Sequence, residues 1–214
     1  MINNNLFYYG TSELTQDAFI CYLLSFGMKE YKSTELNRCA IELIRKFGIT
    51  DEMIEVTKIQ RQYKKIDVLV TVNNNYKIII EDKTFTSQHD NQISKYKKCL
   101  LDDGIDNEKI ICVYYKIVEQ PYTEKEAVNI TRKDILSVFE KYCNITDNVI
   151  FKNYVDYLNW IDNDVNSYKT VPKQSLAEIC AEVIKNGYEF VLENGKTDVT
   201  KFVIENKKIK GFYC

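Results

Sequence analysis

Two acids and a lysine have the types and spacing to do chemistry. Asp67 lies in the Val- and Ile-rich run Ile66 to Val72, Glu81 lies in Tyr76 to Lys83, and Asn73-Asn74-Asn75 separates the runs. Three asparagines in a row signal a turn, because Asn tolerates left-handed backbone and bonds to its own main chain. With Asn74 at the turn's centre, antiparallel pairing sets Asp67 directly across from Glu81, at a Cβ separation of about 4.5–5.5 Å. Lys83 is two positions after Glu81 and shares its face, whereas Asp82 points to the other. Like charges placed opposite each other destabilise a strand pair. A hard divalent cation bound through oxygen, Mg²⁺ or Mn²⁺, would offset that repulsion. A metal to polarise phosphate and activate water, with an ammonium group beside it, is the equipment for phosphodiester hydrolysis. The alternative is a pair of solvated acids with Lys83 ion-paired to one of them. The Ile and Val runs beside them, which should be buried, weigh against it, but spacing alone leaves both readings open.

These residues depend on the elements around them. Ser12 is positioned to cap a helix over 13–26, whose apolar face would be Leu14, Ala18, Phe19, Tyr22, Leu23 and Phe26. A second helix over 33–47 carries Leu36, Ala40, Ile41, Leu43, Ile44 and Phe47, and Gly48 ends it. Strands are expected over 54–60, 66–72 and 76–83, then a polar loop over 84–89, a helix over 90–101 capped by Asp90, and a buried strand over 109–116. An antiparallel meander followed by a helical crossover predicts a mixed sheet with helices packed on it, an α/β fold. Beyond Pro121 the spacing is mainly helical, over 131–142, 151–161 and 174–185, and a strand pair is expected over 201–213. The expected organisation is a core over 1–120 and a mainly helical extension over 121–214 that packs on it and ends in a β-hairpin. Trp160 reads as core.

Asp67, followed after a hairpin by Glu81-Asp82-Lys83, resembles the D…(D/E)xK signature of the PD-(D/E)xK nuclease superfamily, with Ile66 in place of the proline. The element order also resembles that family's core, over about Thr11 to Lys116. Gln92-Ile93-Ser94-Lys95-Tyr96 has the Q-x-x-x-Y form of one branch of the family, and the spacing of four puts Gln92 and Tyr96 on one helix face. The resemblance implies a mixed sheet of the restriction-endonuclease-like type flanked by helices. It implies a Mg²⁺- or Mn²⁺-dependent nuclease acting on nucleic acid, DNA in preference to RNA. Glu13, Asp67, Glu81 and the backbone carbonyl of Asp82 would hold one or two ions, Lys83 would assist the attacking water, and Gln92 and Tyr96 would position that water or the phosphate. Asp17 is the substitute for Glu13, whose place in a first helical turn is also favourable for purely structural reasons. Members of the family often work as dimers or larger closed assemblies, so a homo-oligomer is an expected form. Two other readings stand beside this one: a non-cutting nucleic-acid- or nucleotide-binding member of the same fold, and an unrelated interaction protein whose acidic pair is coincidental.

The bulk composition sets limits. The 214 residues carry a net charge of −2, so contact with nucleic acid requires a local basic patch. Lys58, Arg61, Lys64 and Lys65 either flank such a groove, with Tyr63 stacking on a base, or only solubilise a strand connection; Lys95, Lys97 and Lys98 are further candidates for phosphate contact. The seven cysteines are scattered and never form CxxC, and His89 is the sole histidine, which argues against zinc and for reduced thiols in a cytoplasmic protein. His89 reads as incidental. No stretch has the roughly 18–20 apolar residues of a membrane span, and no signal peptide is evident.

Overall fold

Side-chain caps mark where the chain turns into helix. Asn5 accepts the Phe7 N–H and starts a single turn, α1 (Leu6–Tyr9). Ser12 accepts the Thr15 N–H and starts α2 (Glu13–Ser25), and Thr34 accepts the Asn37 N–H and starts α3 (Glu35–Lys46). The computed structural model describes residues 4–83, 92–118, 124–166, 189–191, 201–205 and 212–213, with side chains through Asn163. The expected loop over 84–89, the Asp90 cap, His89, the helix over 174–185 and Cys180 and Cys214 lie outside the described residues.

The α3 stripe is buried as its spacing predicts, apart from a half-buried Ile41. The α2 stripe is rotated from the expected one. Leu14 and Ala18 are exposed, and the inward face is Gln16, Asp17, Phe19, Ile20, Leu23 and Leu24. Its first turns meet the polar end of a sheet, so two polar side chains go inside there, and the apolar contacts begin one turn later.

That sheet has five strands in sequence order: β1 (Val56–Tyr63), β2 (Ile66–Val72), β3 (Tyr76–Lys83), β4 (Ile110–Lys116) and β5 (Val128–Thr131). The first three pair antiparallel; β4 and β5 join in parallel. A crossover containing α4 (Gln92–Asp102) connects β3 to β4, giving the expected mixed sheet. Both faces are covered, which is why β3 carries three consecutive isoleucines. Val68, Val70, Ile78, Ile80, Val113 and Tyr115 share the main core with α2, α3, α5 (Arg132–Cys143) and α6 (Val149–Asn166). Leu69, Ile79, Cys112 and Tyr114 pack against Ile93 and Leu100 of α4, with Tyr96 at the edge.

The chain divides after Val165. The segment from 121 to that point therefore supplies β5, α5 and α6 to the same unit as the first four strands. β5 has one buried residue, Ile130, and carries no alternation that marks it as a strand. Arg132 is fully buried; it donates to Asp162 at 2.9 and 3.0 Å and to the Ile117 carbonyl at 2.7 Å, tying α5 to α6 and to the end of β4. Trp160, expected in the core, is 49% exposed, because α6 turns that flank toward α1 rather than toward the sheet. In the second unit, β6 (Glu189–Val191), β7 (Lys201–Glu205) and β8 (Phe212–Tyr213) pair antiparallel, and β7 with β8 forms the expected terminal strand pair. Among the described residues no helix is long and apolar enough to cross a membrane, and Cys21, Cys39, Cys99, Cys112 and Cys143 are free.

Candidate metal and phosphate site

The asparagine turn sets the register. Asn73 and Asn74 both take positive φ, 53° and 55°, and Asn75 N–H closes on the Val72 carbonyl at 3.0 Å. The β2–β3 ladder then runs from Val72↔Tyr76 to Val68↔Ile80, and one further step in the same register sets Asp67 opposite Glu81. The two acids are thus brought together at the strand ends as the spacing predicts. Asp67 Oδ2 also accepts the Asp82 N–H at 3.3 Å, which ties the carboxylate to the β3 main chain.

Glu81 is fully buried. Its Oε1 lies 2.8 Å from Lys83 Nζ, and its Oε2 has no hydrogen-bond partner among the described residues. Burial first, and then the Asp67 charge, push the Glu81 carboxyl up to about 7, against the pull of Lys83. Lys83 is itself buried, which works against its charge. Its hydrogen bond to Glu81 and the charges of Glu81, Glu13 and Asp67 more than offset that and hold it above the usual lysine range. Glu13 reaches the same ammonium from the first turn of α2, with Oε2 at 3.9 Å from Lys83 Nζ.

Asp82 takes the other face, as alternation requires. It is buried against α2, accepts a hydrogen bond from Gln16 Nε2, and burial raises its carboxyl well above the usual range. Asp17 is buried one turn after Glu13, and burial, then the Asp67 charge, push it up to about 7. Gln62 Nε2 lies 3.5 Å from both Asp17 Oδ2 and Asp67 Oδ1 and so links the two acids.

On the α4 side, Gln92 Nε2 donates to Tyr96 Oη at 3.3 Å. Burial first, and then the charges of Glu81 and Asp67, raise the Tyr96 phenol. The basic cluster divides. Lys64 is engaged by Asp103 at 2.7 Å and lies 5.5 Å from the centre of the Tyr63 ring, whereas Lys58, Arg61 and Lys65 are exposed, as are Lys95 and Lys98 on α4.

Three polar groups at this site were not among the sequence candidates: Gln16, Gln62 and Lys116. Gln62 sits across from Asp67 because Arg61↔Val68 and Tyr63↔Ile66 bracket that position. The signal was the short Lys64-Lys65 connection, but both lysines take positive φ, 53° and 73°, which lysine does not advertise. Lys116 is placed by the parallel register Lys83↔Lys116 and is buried beside the Tyr114 ring, 5.5 Å from its centre. Burial, then the Lys83 charge, lower its ammonium to about 8.

The donor set fits a hard divalent ion. Glu81 offers a dehydrated carboxylate with an oxygen lacking any hydrogen-bond donor, Asp67 faces it, and their mutual repulsion makes ionisation costly without a cation. Among the described residues, no three His, Cys, Asp or Glu side chains converge closely enough to cage an ion.

A family model described as the PD-(D/E)XK nuclease superfamily matches residues 6–204. The chain belongs to the PD-(D/E)XK nuclease superfamily. The match runs well past the 11–116 segment that carries the motif resemblance, into the second unit. Comparison with curated proteins and with solved structures finds no match. In this PD-(D/E)XK chain the five-stranded mixed sheet with helices on both faces is an α/β architecture consistent with the restriction-endonuclease-like fold.

Proposed function

We propose that this chain is a metal-dependent nuclease that hydrolyses phosphodiester bonds, with DNA as the preferred substrate over RNA. The observation that carries the reading is the meeting of Asp67 with a fully buried, Lys83-paired Glu81 at the end of β3. Asp67 and Glu81, with Glu13 and the Asp82 carbonyl, would hold one or two Mg²⁺ or Mn²⁺ ions. When bound, the metal supplies Lewis acidity toward phosphate and lowers the pKa of water. Lys83, paired with Glu81 and within reach of Glu13, would hold the attacking water and stabilise charge on the phosphate. Gln62 and the Asp82 N–H fix the orientation of the Asp67 carboxylate. Gln92 and Tyr96 border the site from α4 and orient water or phosphate there. Lys116, next to Lys83, adds positive charge for the phosphate.

A second reading, a member of the fold that binds nucleic acid without cutting it, is favoured by the lack of a three-ligand cage among the described residues. Calorimetric titration with Mn²⁺ separates the two. The nuclease reading expects saturable binding that is lost in Asp67→Ala. A wild-type protein that binds no Mn²⁺, with or without a non-cleavable oligonucleotide, favours the second reading.

A further inference from the structure

A second polar groove lies on a different part of the first unit, between α1 and α6, with a volume of about 360 Å³. Trp160, 49% exposed, is one of its lining residues. The indole stacks on Tyr157, with ring centres 6.1 Å apart and planes 19° apart, and the Tyr8 ring meets it edge-on at 5.5 Å. Tyr157 is buried and itself stacks on Phe7, so the platform is anchored to the core. A half-exposed tryptophan held rigidly in this way offers a flat apolar surface at little entropic cost.

The rest of the described lining is hydrogen-bonding, with amides and one carboxylate. Asn153, Asp156, Asn159 and Asn163 recur at helical spacing along α6 and line the groove, and among the described residues none of the lining is Lys or Arg. A lining of amides and a carboxylate offers phosphate no counter-charge. It selects a flat, neutral ligand rich in donors and acceptors, and an unpaired nucleobase has that character. The carboxylate refines the choice. Asp156 can only accept at neutral pH, and guanine is the base that presents two adjacent donors, N1–H and the N2 amino group, on one edge.

We infer that the α1–α6 groove is a binding site for a single unstacked base of nucleic acid, with guanine preferred. The base stacks on Trp160, and its Watson–Crick edge faces Asp156. The choice of a nucleic-acid ligand rests on the nuclease reading; the groove itself does not depend on metal or cleavage.

Trp160 is the only tryptophan in the chain, so its emission reports on this groove directly. The full-length protein is titrated in chelator with short oligothymidylates carrying one central guanine or one central adenine, and with maltose as a control. The expected result is saturable quenching, tighter for guanine, and loss of that preference by about tenfold in Asp156→Asn. Trp160→Phe, checked for native circular dichroism, should weaken binding of the labelled guanine oligonucleotide measured by anisotropy. The inference is overturned if quenching does not saturate, if maltose reproduces it, or if Asp156→Asn leaves the base preference unchanged. Running the same titration on Lys83→Ala keeps the two proposals separable. Quenching without cleavage in wild type would remove only the nuclease reading, and cleavage without quenching would remove only the groove.

Discussion

Lys83 Nζ lies 2.8 Å from Oε1 of a Glu81 that has no exposed surface, so the strand end buries an ion pair whose acid also faces Asp67. Such a pair is poor evidence of stabilisation, because desolvation can exceed the Coulombic gain. The arrangement is better understood as strain held in place by the sheet for a ligand. Replacing both members of the pair should therefore help the metal-free fold while destroying function, whereas removing Glu81 alone leaves the Lys83 ammonium buried without its nearest partner. The double variant Glu81→Gln/Lys83→Met is expected to melt at or above the wild-type temperature at pH 8 in chelator and to lose the stabilisation that Mn²⁺ gives wild type. A lower melting temperature for the variant would contradict this account of the site.

The same carboxyls set a pH dependence. Glu81 and Asp17 titrate near 7 in the folded protein and near 4 to 4.5 when unfolded. Between those values the native state binds more protons than the unfolded state, so stability falls as pH rises. The metal-free protein should lose on the order of 5 kcal/mol between about pH 5 and pH 8, about half from each carboxyl, read as a marked drop in melting temperature. Mg²⁺ or Mn²⁺ should reduce that slope by favouring the ionised acids. Scanning calorimetry across the range, with and without metal, checks both parts; a stability that rises with pH in chelator would reverse the sign worked out here.

Lys116 tests the phosphate side of the site. Lys116→Met keeps the length and the apolar packing along Tyr114 but removes the charge beside Lys83. Cleavage efficiency is expected to fall by roughly tenfold to a hundredfold, while Mn²⁺ affinity measured by calorimetry stays close to wild type. Unchanged kinetics would assign Lys116 to packing alone.

Away from the site, Asp162 balances the buried guanidinium of Arg132. Asp162→Ala leaves that charge inside with less compensation and should cost about 2–4 kcal/mol, read as a lower denaturation midpoint with an unchanged slope. A loss well under 1 kcal/mol would show that the Ile117 carbonyl and the rest of the surroundings suffice.

The sequence made the chemistry legible where local rules decide the geometry. An Asn-rich turn between two apolar runs dictates a register, and that register alone brings Asp67 and Glu81 together. The helix cap at Ser12 and the α3 stripe were legible for the same reason. What local rules do not decide was missed. The alignment of Lys116 with Lys83 depends on a parallel register set by a crossover. Gln62 depends on a tight turn made by two lysines. β5 is too short to carry a pattern. The rotation of α2 came from polar demand: Asp82 needs Gln16, and Asp17 needs Gln62, so polar residues occupy an inward face that apolar spacing assigns elsewhere. Trp160 misled because its type suggests burial, whereas its place on α6 faces α1.

The most direct measurement is cleavage of labelled single- and double-stranded DNA and RNA by the purified chain with Mg²⁺, with Mn²⁺ and with chelator, alongside Asp67→Ala and Lys83→Ala. Metal-dependent cutting that chelator abolishes, DNA cut in preference to RNA, and a loss of about a hundredfold or more in each folded variant are expected. Full activity in chelator, or in either variant, would contradict the assignment of Asp67, Glu81 and Lys83 to the reaction.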